Sequence, residues 1–161
     1  MKVKEIMTAN PKVCTMTNNL AEAASMMWEN DCGILPVVAK GGKVIGLVTD
    51  RDICMAAALK ARQLANIAVE DTVSGEVFAC EPGDDVRNAL KTMKAKKVRR
   101  LPVVASDGTL AGMLSMNDII LRAEEAKEKK IPELSYGDVV NTFKSICEHR
   151  LPKSSAQATG A

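Results

Sequence analysis

The sequence predicts an α+β fold in which one β-α-β-β-α unit occurs twice and is followed by a short C-terminal helix. Three observations predict this fold. The chain repeats itself at an interval of 66 residues, each copy has two β runs joined by a glycine-containing turn, and helical spacing of apolar residues flanks these runs. Because one such unit is small, we expect the two copies to pack together with pseudo-two-fold symmetry and to bury their apolar faces.

The internal repeat is clearest at the first β run. A shift of 66 positions places LPVVA at residues 35–39 on the same five letters at residues 101–105, and it places Gly46 on Gly112. Matched glycines around a run of five identities indicate a duplication. We therefore divide the chain into a first repeat over residues 1–66, a second repeat over residues 67–130, and a C-terminal part over residues 131–161 with the helix and a disordered tail.

Each copy has the same predicted order of elements. An extended segment comes first, and a helix follows whose start is marked by Asn or Asp residues. The LPVVA run, a KGGK or SDGT turn and a second β run predict a hairpin, and another helix begins at about Asp50 or Met116. The apolar positions that predict the first helix of each copy are Leu20, Ala23, Ala24 and Met27, and Val86, Ala89, Leu90 and Met93.

Composition excludes several classes of function. The net charge is +2 and only 2% of residues are aromatic, so we expect no nucleic-acid partner. No apolar run approaches about 20 residues and the N-terminus has no apolar signal core, so we expect a cytoplasmic protein without a membrane partner. Five cysteines without CxxC spacing favour reduced thiols, and Cys14 and Cys80, at equivalent positions, are expected to lie in the core.

A motif at the start of the second helix of each copy carries the candidate chemistry: GLVTDRD at 46–52 and GMLSMND at 112–118. An ionised aspartate only accepts hydrogen bonds, so the last residue of each motif can hold both hydroxyls of a ribose. The hydroxyl residue three positions earlier can bridge to ribose or phosphate beside the helix N-terminus. The same spacing also forms a capping box, so capping alone is an alternative interpretation. The residues concerned are Thr49, Asp52, Ser115 and Asp118.

The duplicated LPVV run, the glycine hairpin and the two motifs together resemble the CBS domain, named for cystathionine β-synthase, over residues 1 to about 124. The resemblance implies a tandem pair, or Bateman module, with two clefts that hold AMP, ADP, ATP or related adenosyl ligands. It also implies that the four motif residues hold ribose. We expect AMP as the ligand, with ATP, ADP and NAD as alternatives.

Cations near the second LPVV run suggest that the two clefts differ. Arg99 and Arg100 stand where phosphate-binding members of the family carry basic residues, whereas Gly33 and Ile34 take these places in the first repeat. We therefore expect one cleft to read phosphate and the other to be weaker or differently selective. A solvated helix end is the alternative interpretation of the KKVRR run. Arg51, inside the first motif, is a further candidate for phosphate contact.

These observations favour a stand-alone regulatory module that binds an adenosine-type nucleotide and signals to an unknown protein partner or through assembly state. A dimerisation or protein-interaction module of the same fold with empty clefts is the alternative, and a redox or metal sensor built on the cysteines is a weaker one. We expect no enzyme activity, because the one histidine lies in the C-terminal part and the repeats hold no Ser–His, Cys–His or paired-carboxylate arrangement.

Assembly and packing are the last expectations from the sequence. We expect a homodimer, with residues 55–58 and 121–124 as candidate close-packing surfaces, although an intrachain helix contact explains their small side chains equally well. Trp28 and Tyr136 are expected to be packing residues.

Overall fold

The computed structural model describes residues 1–73, 76–125 and 132–148, and it has the predicted α+β fold with two equivalent repeats. Short 3₁₀ helices over Val3–Glu5, Leu64–Asn66 and Val69–Asp71 connect the regular elements. The strands are β1 (Thr8–Ala9), β2 (Ile34–Val38), β3 (Val44–Thr49), β4 (Arg100–Val104) and β5 (Leu110–Ser115), and the helices are α1 (Leu20–Glu29), α2 (Asp50–Leu59), α3 (Val86–Lys96), α4 (Met116–Ile120) and α5 (Tyr136–Cys147).

The predicted hairpins form in both repeats, but the extended segment expected around Val13 and Val77 is reduced to a single bridge in each repeat. The antiparallel pairs β2–β3 and β4–β5 have equivalent registers. Cys14 and Cys80 form isolated parallel bridges to Val37 and Val103. The neighbouring residue of each hairpin strand, such as Pro36, offers a carbonyl but no N–H, which limits pairing along that edge.

Strand β1 crosses between the repeats, and a glycine makes this crossing possible. Thr8 and Ala9 pair antiparallel with Met113 and Gly112, so β1 extends the sheet of the second repeat in the order β1-β5-β4. A Cβ on Gly112 would lie 2.8 Å from the carbonyl oxygen of Thr8, closer than real Cβ contacts come. The crossing of β1 therefore requires a glycine at position 112. At its counterpart Gly46, a Cβ would collide with the side chain of Val73 rather than with a backbone atom.

The 3₁₀ helix near the start of each repeat, Val3–Glu5 or Val69–Asp71, packs in the core of the other repeat. Val3 is fully buried in the core of the second repeat, and its N–H donates to the Asp84 carbonyl at 3.0 Å. Ile67 and Val69 are fully buried in the core of the first repeat, where the Val69 N–H donates to Asn18 at 2.8 Å. The two repeats are therefore held together by reciprocal segments, and the boundary between residues 66 and 67 stays a prediction.

Helix α5 covers the helical face of the second repeat. Leu134 and Val139 join the buried core of that repeat, and the partly buried Phe143 and Ile146 pack against it. The helix lies mainly against α3 and also contacts α4. The predicted C-terminal helix is thus present, whereas the predicted tail lies outside the described residues.

Two aromatic residues do not pack as expected. Trp28 is 90% exposed and Tyr136 is 54% exposed, so the prediction that they are packing residues is wrong. Leu20, Ala23 and Met27 form the buried face of α1, and Trp28 follows Met27 by one residue, which turns it away from that face. The first repeat therefore leaves a large apolar side chain in solvent.

Candidate functional site: two clefts between the repeats

Both motifs form capping boxes of nearly identical geometry. The Thr49 hydroxyl donates to Asp52 Oδ2 at 2.7 Å, the Thr49 N–H donates to the same oxygen at 2.9 Å, and the Asp52 N–H donates to the Thr49 hydroxyl at 3.2 Å. Ser115 and Asp118 repeat these contacts at 2.6, 2.8 and 3.3 Å. Both motifs therefore cap their helices, as their spacing predicts.

Capping occupies only one carboxylate oxygen of each motif. Both hydrogen bonds that each carboxylate accepts go to Oδ2, and Oδ1 of Asp52 and of Asp118 takes part in no hydrogen bond among the described residues. Both aspartates are half-buried. A rigid turn therefore presents one free acceptor oxygen in each repeat, so capping and ligand binding are compatible.

A third capping box shows that this geometry alone does not define a site. Ser135 and Asp138 begin α5, with the Ser135 hydroxyl and N–H donating to Asp138 Oδ2 at 2.8 and 2.9 Å. The backbone hydrogen bond from Ser135 is the main cause that lowers the pKa of Asp138 from its ordinary value. Asp138 lines neither of the clefts described below. What distinguishes the first two boxes is the cleft onto which each one opens.

Cleft 1 combines the motif of the first repeat with a wall from the second. It has a volume of about 350 Å³. The first repeat contributes the capping box of α2 and one residue from each strand of its hairpin, while the second repeat contributes two apolar residues, one acidic residue and two arginines. Its lining residues are Ile34, Leu47, Thr49, Asp52, Glu76, Phe78, Val98, Arg99 and Arg100.

Cleft 2 is the pseudo-symmetric counterpart, with a volume of about 380 Å³. It combines the motif of the second repeat with the crossing segment and the α1–β2 turn of the first. Its lining residues are Thr8, Asn10, Pro11, Lys12, Asn30, Asp31, Cys32, Ile34, Arg100, Met113, Ser115, Asn117 and Asp118.

The structure brings six of the seven predicted site residues to the clefts. Cleft 1 receives Thr49, Asp52, Arg99 and Arg100, and cleft 2 receives Ser115, Asp118 and again Arg100. Arg51 is exposed in the first turn of α2 and is not among the lining residues of either cleft.

Equivalent positions in the crossing segments give the clefts different chemistry. Cleft 1 has Phe78 where cleft 2 has Lys12, and Glu76 where cleft 2 has Asn10. Lys96 lies over the Phe78 ring at 4.3 Å from its centroid. These lining residues were missed by sequence reasoning, and the signal that points to them is their place in the extended segments ahead of Cys14 and Cys80.

The cation expected in one cleft is present in both. Arg99 is exposed at cleft 1, and Lys12 is exposed at cleft 2. Arg100, half-buried, lines both. Lys97 lines neither cleft; its ammonium group lies 3.5 Å from the carboxylate of Glu148, at the end of α5. The two clefts therefore differ in the kind and placement of cations.

A third cavity of about 670 Å³ opens beside α1 and α2 of the first repeat. Trp28, Cys32, Cys54 and Arg100 are among its lining residues.

No group of three or more potential His, Cys, Asp or Glu metal ligands occurs within residues 1–73, 76–125 and 132–148, and His149 lies outside these ranges. None of the helices in these ranges combines the length and the apolar character that crossing a bilayer requires.

Cys14 and Cys80 lie in the two cores, as the sequence predicts. Both are buried, and burial raises the pKa of Cys14 to about 11 and that of Cys80 to about 12. Neither thiol is suited to act as a nucleophile, because the thiolate is the reactive form.

Comparison with known proteins confirms the resemblance to the CBS domain. Residues 3–59 and 69–125 each match the CBS domain. The chain belongs to the CBS domain family. A relative from Bacillus subtilis, the uncharacterized protein YlbB, is 29% identical over 141 residues, which cover 85% of this chain and 93% of YlbB.

Solved CBS structures share the fold at low sequence identity. The CBS domain protein PAE2072 from Pyrobaculum aerophilum, complexed with AMP, has a TM-score of 0.67 and 23% identity, covering 74% of this chain and 90% of that chain. The CBS domain pair of protein MJ0100, in complex with 5′-methylthioadenosine and S-adenosyl-L-methionine, has a TM-score of 0.66 and 24% identity, covering 75% and 94%. The likeness shows that this chain has the fold of a CBS pair.

Proposed function

We propose that this CBS pair is a regulatory module, and not an enzyme, that binds an adenosine-type nucleotide in the two clefts between its repeats. AMP is the proposed ligand, with ADP, ATP and NAD as alternatives. The observation that carries the proposal is the free Oδ1 of Asp52 and of Asp118, each fixed by a capping box at the edge of a cleft with cations on its wall. We further propose that the signal passes through a homodimer or a protein partner.

The lining of each cleft supports a nucleoside monophosphate chemically. The carboxylate oxygen accepts from a ribose hydroxyl, and the Thr49 or Ser115 hydroxyl stands beside it. Arg99 and Arg100 in cleft 1, and Lys12 and Arg100 in cleft 2, supply charge for a phosphate. Two solved relatives of the same fold contain AMP or adenosyl compounds, which agrees with this assignment.

Calorimetric titration with AMP and with adenosine tests the proposal. The parent chain should bind AMP, and Asp52→Ala and Asp118→Ala should each weaken binding at one cleft. Loss of hydrogen bonds to a charged acceptor costs about 2–3 kcal/mol, or roughly 30- to 150-fold in affinity. Calorimetry that resolves two steps in the parent, and one in each variant, supports separate anchoring.

Asp138→Ala is the matched control, because it removes the same capping box outside both clefts. It should lower the melting temperature and leave AMP binding unchanged. If Asp52→Ala and Asp118→Ala behave as Asp138→Ala does, the two motifs are helix caps only. In that case the clefts do not bind nucleotide through these residues. A parent chain that binds neither AMP nor adenosine would favour the dimerisation module.

A further inference from the structure

The two clefts share a pair of equivalent residues at the pseudo-two-fold axis. Ile34 and Arg100 are the first residues of β2 and β4, and each lines both clefts. Ile34 pairs with Thr49 and Arg100 pairs with Ser115, so each stands beside the hydroxyl residue of its own motif. A symmetric pair would place two identical side chains here. This chain has one apolar residue, Ile34, and one cationic residue, Arg100, in the lining that the two clefts share, and Arg100 also lines the third cavity.

The Arg100 guanidinium is not committed elsewhere. Arg100 is a half-buried residue, and its guanidinium takes part in no hydrogen bond or ion pair among the described residues. A guanidinium binds phosphate through a planar fork of donors that faces one direction at a time. The remaining cations belong to single clefts, Arg99 to cleft 1 and Lys12 to cleft 2.

We propose that Arg100 is a shared phosphate-binding residue through which the two clefts compete for nucleotide. This inference rests on the proposed function. A phosphate bound in one cleft attracts the Arg100 guanidinium. The phosphate of the second nucleotide then contacts only the cation that lines its own cleft alone, Arg99 in cleft 1 or Lys12 in cleft 2. Competition is reciprocal, because a coupling free energy between two sites is the same in both directions. Adenosine has no phosphate, so its binding to the two clefts is independent.

The test compares stepwise binding with binding to single clefts. Asp118→Ala reports AMP binding to cleft 1 alone, and Asp52→Ala reports cleft 2 alone. In the parent chain, the second AMP should bind about five- to tenfold more weakly than AMP binds the same cleft in the single-cleft variant, the lower end of couplings between sites. Adenosine titrated into the same three proteins should give stepwise constants that match the single-cleft constants.

Arg100→Ile identifies the residue that carries the coupling. The substitution places in β4 the residue that the chain uses at the equivalent position of β2, so the strand is preserved. Both clefts should bind AMP more weakly, and the coupling should vanish. Arg99→Ala is the matched control: it should weaken cleft 1 and keep the coupling. Ile34→Arg, which supplies a second guanidinium at the axis, should relieve the competition.

The outcomes separate this inference from the proposed function. If the parent chain binds neither AMP nor adenosine, the proposed function is wrong and the inference falls with it. If AMP binds both clefts with the single-cleft constants, or if only one single-cleft variant binds AMP, the clefts do not share Arg100. Coupling that persists in Arg100→Ile identifies repulsion between the phosphates as its source and overturns the inference. Tighter binding of the second AMP overturns it as well.

Discussion

At the scale of single residues, burial determines which cysteine thiols of this molecule can react. Cys14 and Cys80 stand at equivalent positions, each with its backbone in a bridge to the neighbouring hairpin and its thiol in the core. Burial raises the pKa of both thiols, so they stay protonated and inaccessible at pH 8. Cys147, exposed at the end of α5, provides a reference within the same chain.

Alkylation of the native protein at pH 8 should therefore modify Cys147 rapidly and leave Cys14 and Cys80 unmodified. The measurement is time-resolved mass spectrometry of the digested protein, with labelling in urea as the control for complete reaction. Modification of Cys14 or Cys80 at the rate of Cys147 would contradict the burial of these thiols.

The residues of the clefts show which parts of a site a sequence can predict. Thr49, Asp52, Ser115 and Asp118 are found from local spacing, because a capping box joins residues three positions apart. Phe78 and Lys12 are not found in this way, because they reach the clefts through a segment that crosses to the other repeat. Their position depends on tertiary packing that spacing does not encode.

At the scale of elements, most helices and both hairpins follow from local patterns, whereas the exchange of segments does not. The exchanged 3₁₀ helices are three residues long, too short for a periodic signal. Their effect on stability is nevertheless large. Val3 and Val69 are fully buried, each in the core formed mainly by the other repeat.

Val3→Ala should therefore destabilise the second repeat, and Val69→Ala the first. Each loss of buried methyl groups should lower the free energy of unfolding by about 1–3 kcal/mol. Urea denaturation measures the loss, and hydrogen exchange locates it: exchange should accelerate in α3 for Val3→Ala and in α1 for Val69→Ala. Val13→Ala, at a residue 37% exposed, is the control and should change stability by less than about 0.5 kcal/mol. Faster exchange confined to the repeat that carries the substitution would contradict the exchange of segments.

At the scale of the whole molecule, the two repeats differ in what covers their helices. α5, twelve residues long, packs over α3 and contacts α4, while the helix that contacts both α1 and α2 is the three-residue 3₁₀ helix Leu64–Asn66. Trp28, Met55 and Leu59 of the first repeat are 90%, 47% and 73% exposed. Met55 and Leu59 share one face of α2 by their spacing of four residues. An apolar face of this kind is typical of a protein interface.

The proposed homodimer should therefore form through α1 and α2 of the first repeat. Of the two surfaces that the sequence suggested, residues 55–58 lie in α2, where Met55 belongs to this face and Ala56 is buried in the core of the first repeat, and their counterparts at 121–124 follow α4. Met55→Glu places a charge within the apolar face, which is unfavourable in a buried interface core. The variant should be monomeric in light scattering at tens of micromolar concentration, where we expect the parent chain to be a dimer.

Leu121→Glu is the matched control, because Leu121 is the 66-residue equivalent of Met55 and is itself 83% exposed. It should leave the dimer intact. A parent chain that is monomeric would overturn the homodimer, and a dimer lost in Leu121→Glu but kept in Met55→Glu would move the interface to the second repeat. Because the clefts lie between the repeats, whereas this face belongs to the first repeat alone, Met55→Glu should retain AMP binding. Calorimetry on the monomeric variant then shows whether nucleotide binding needs the dimer.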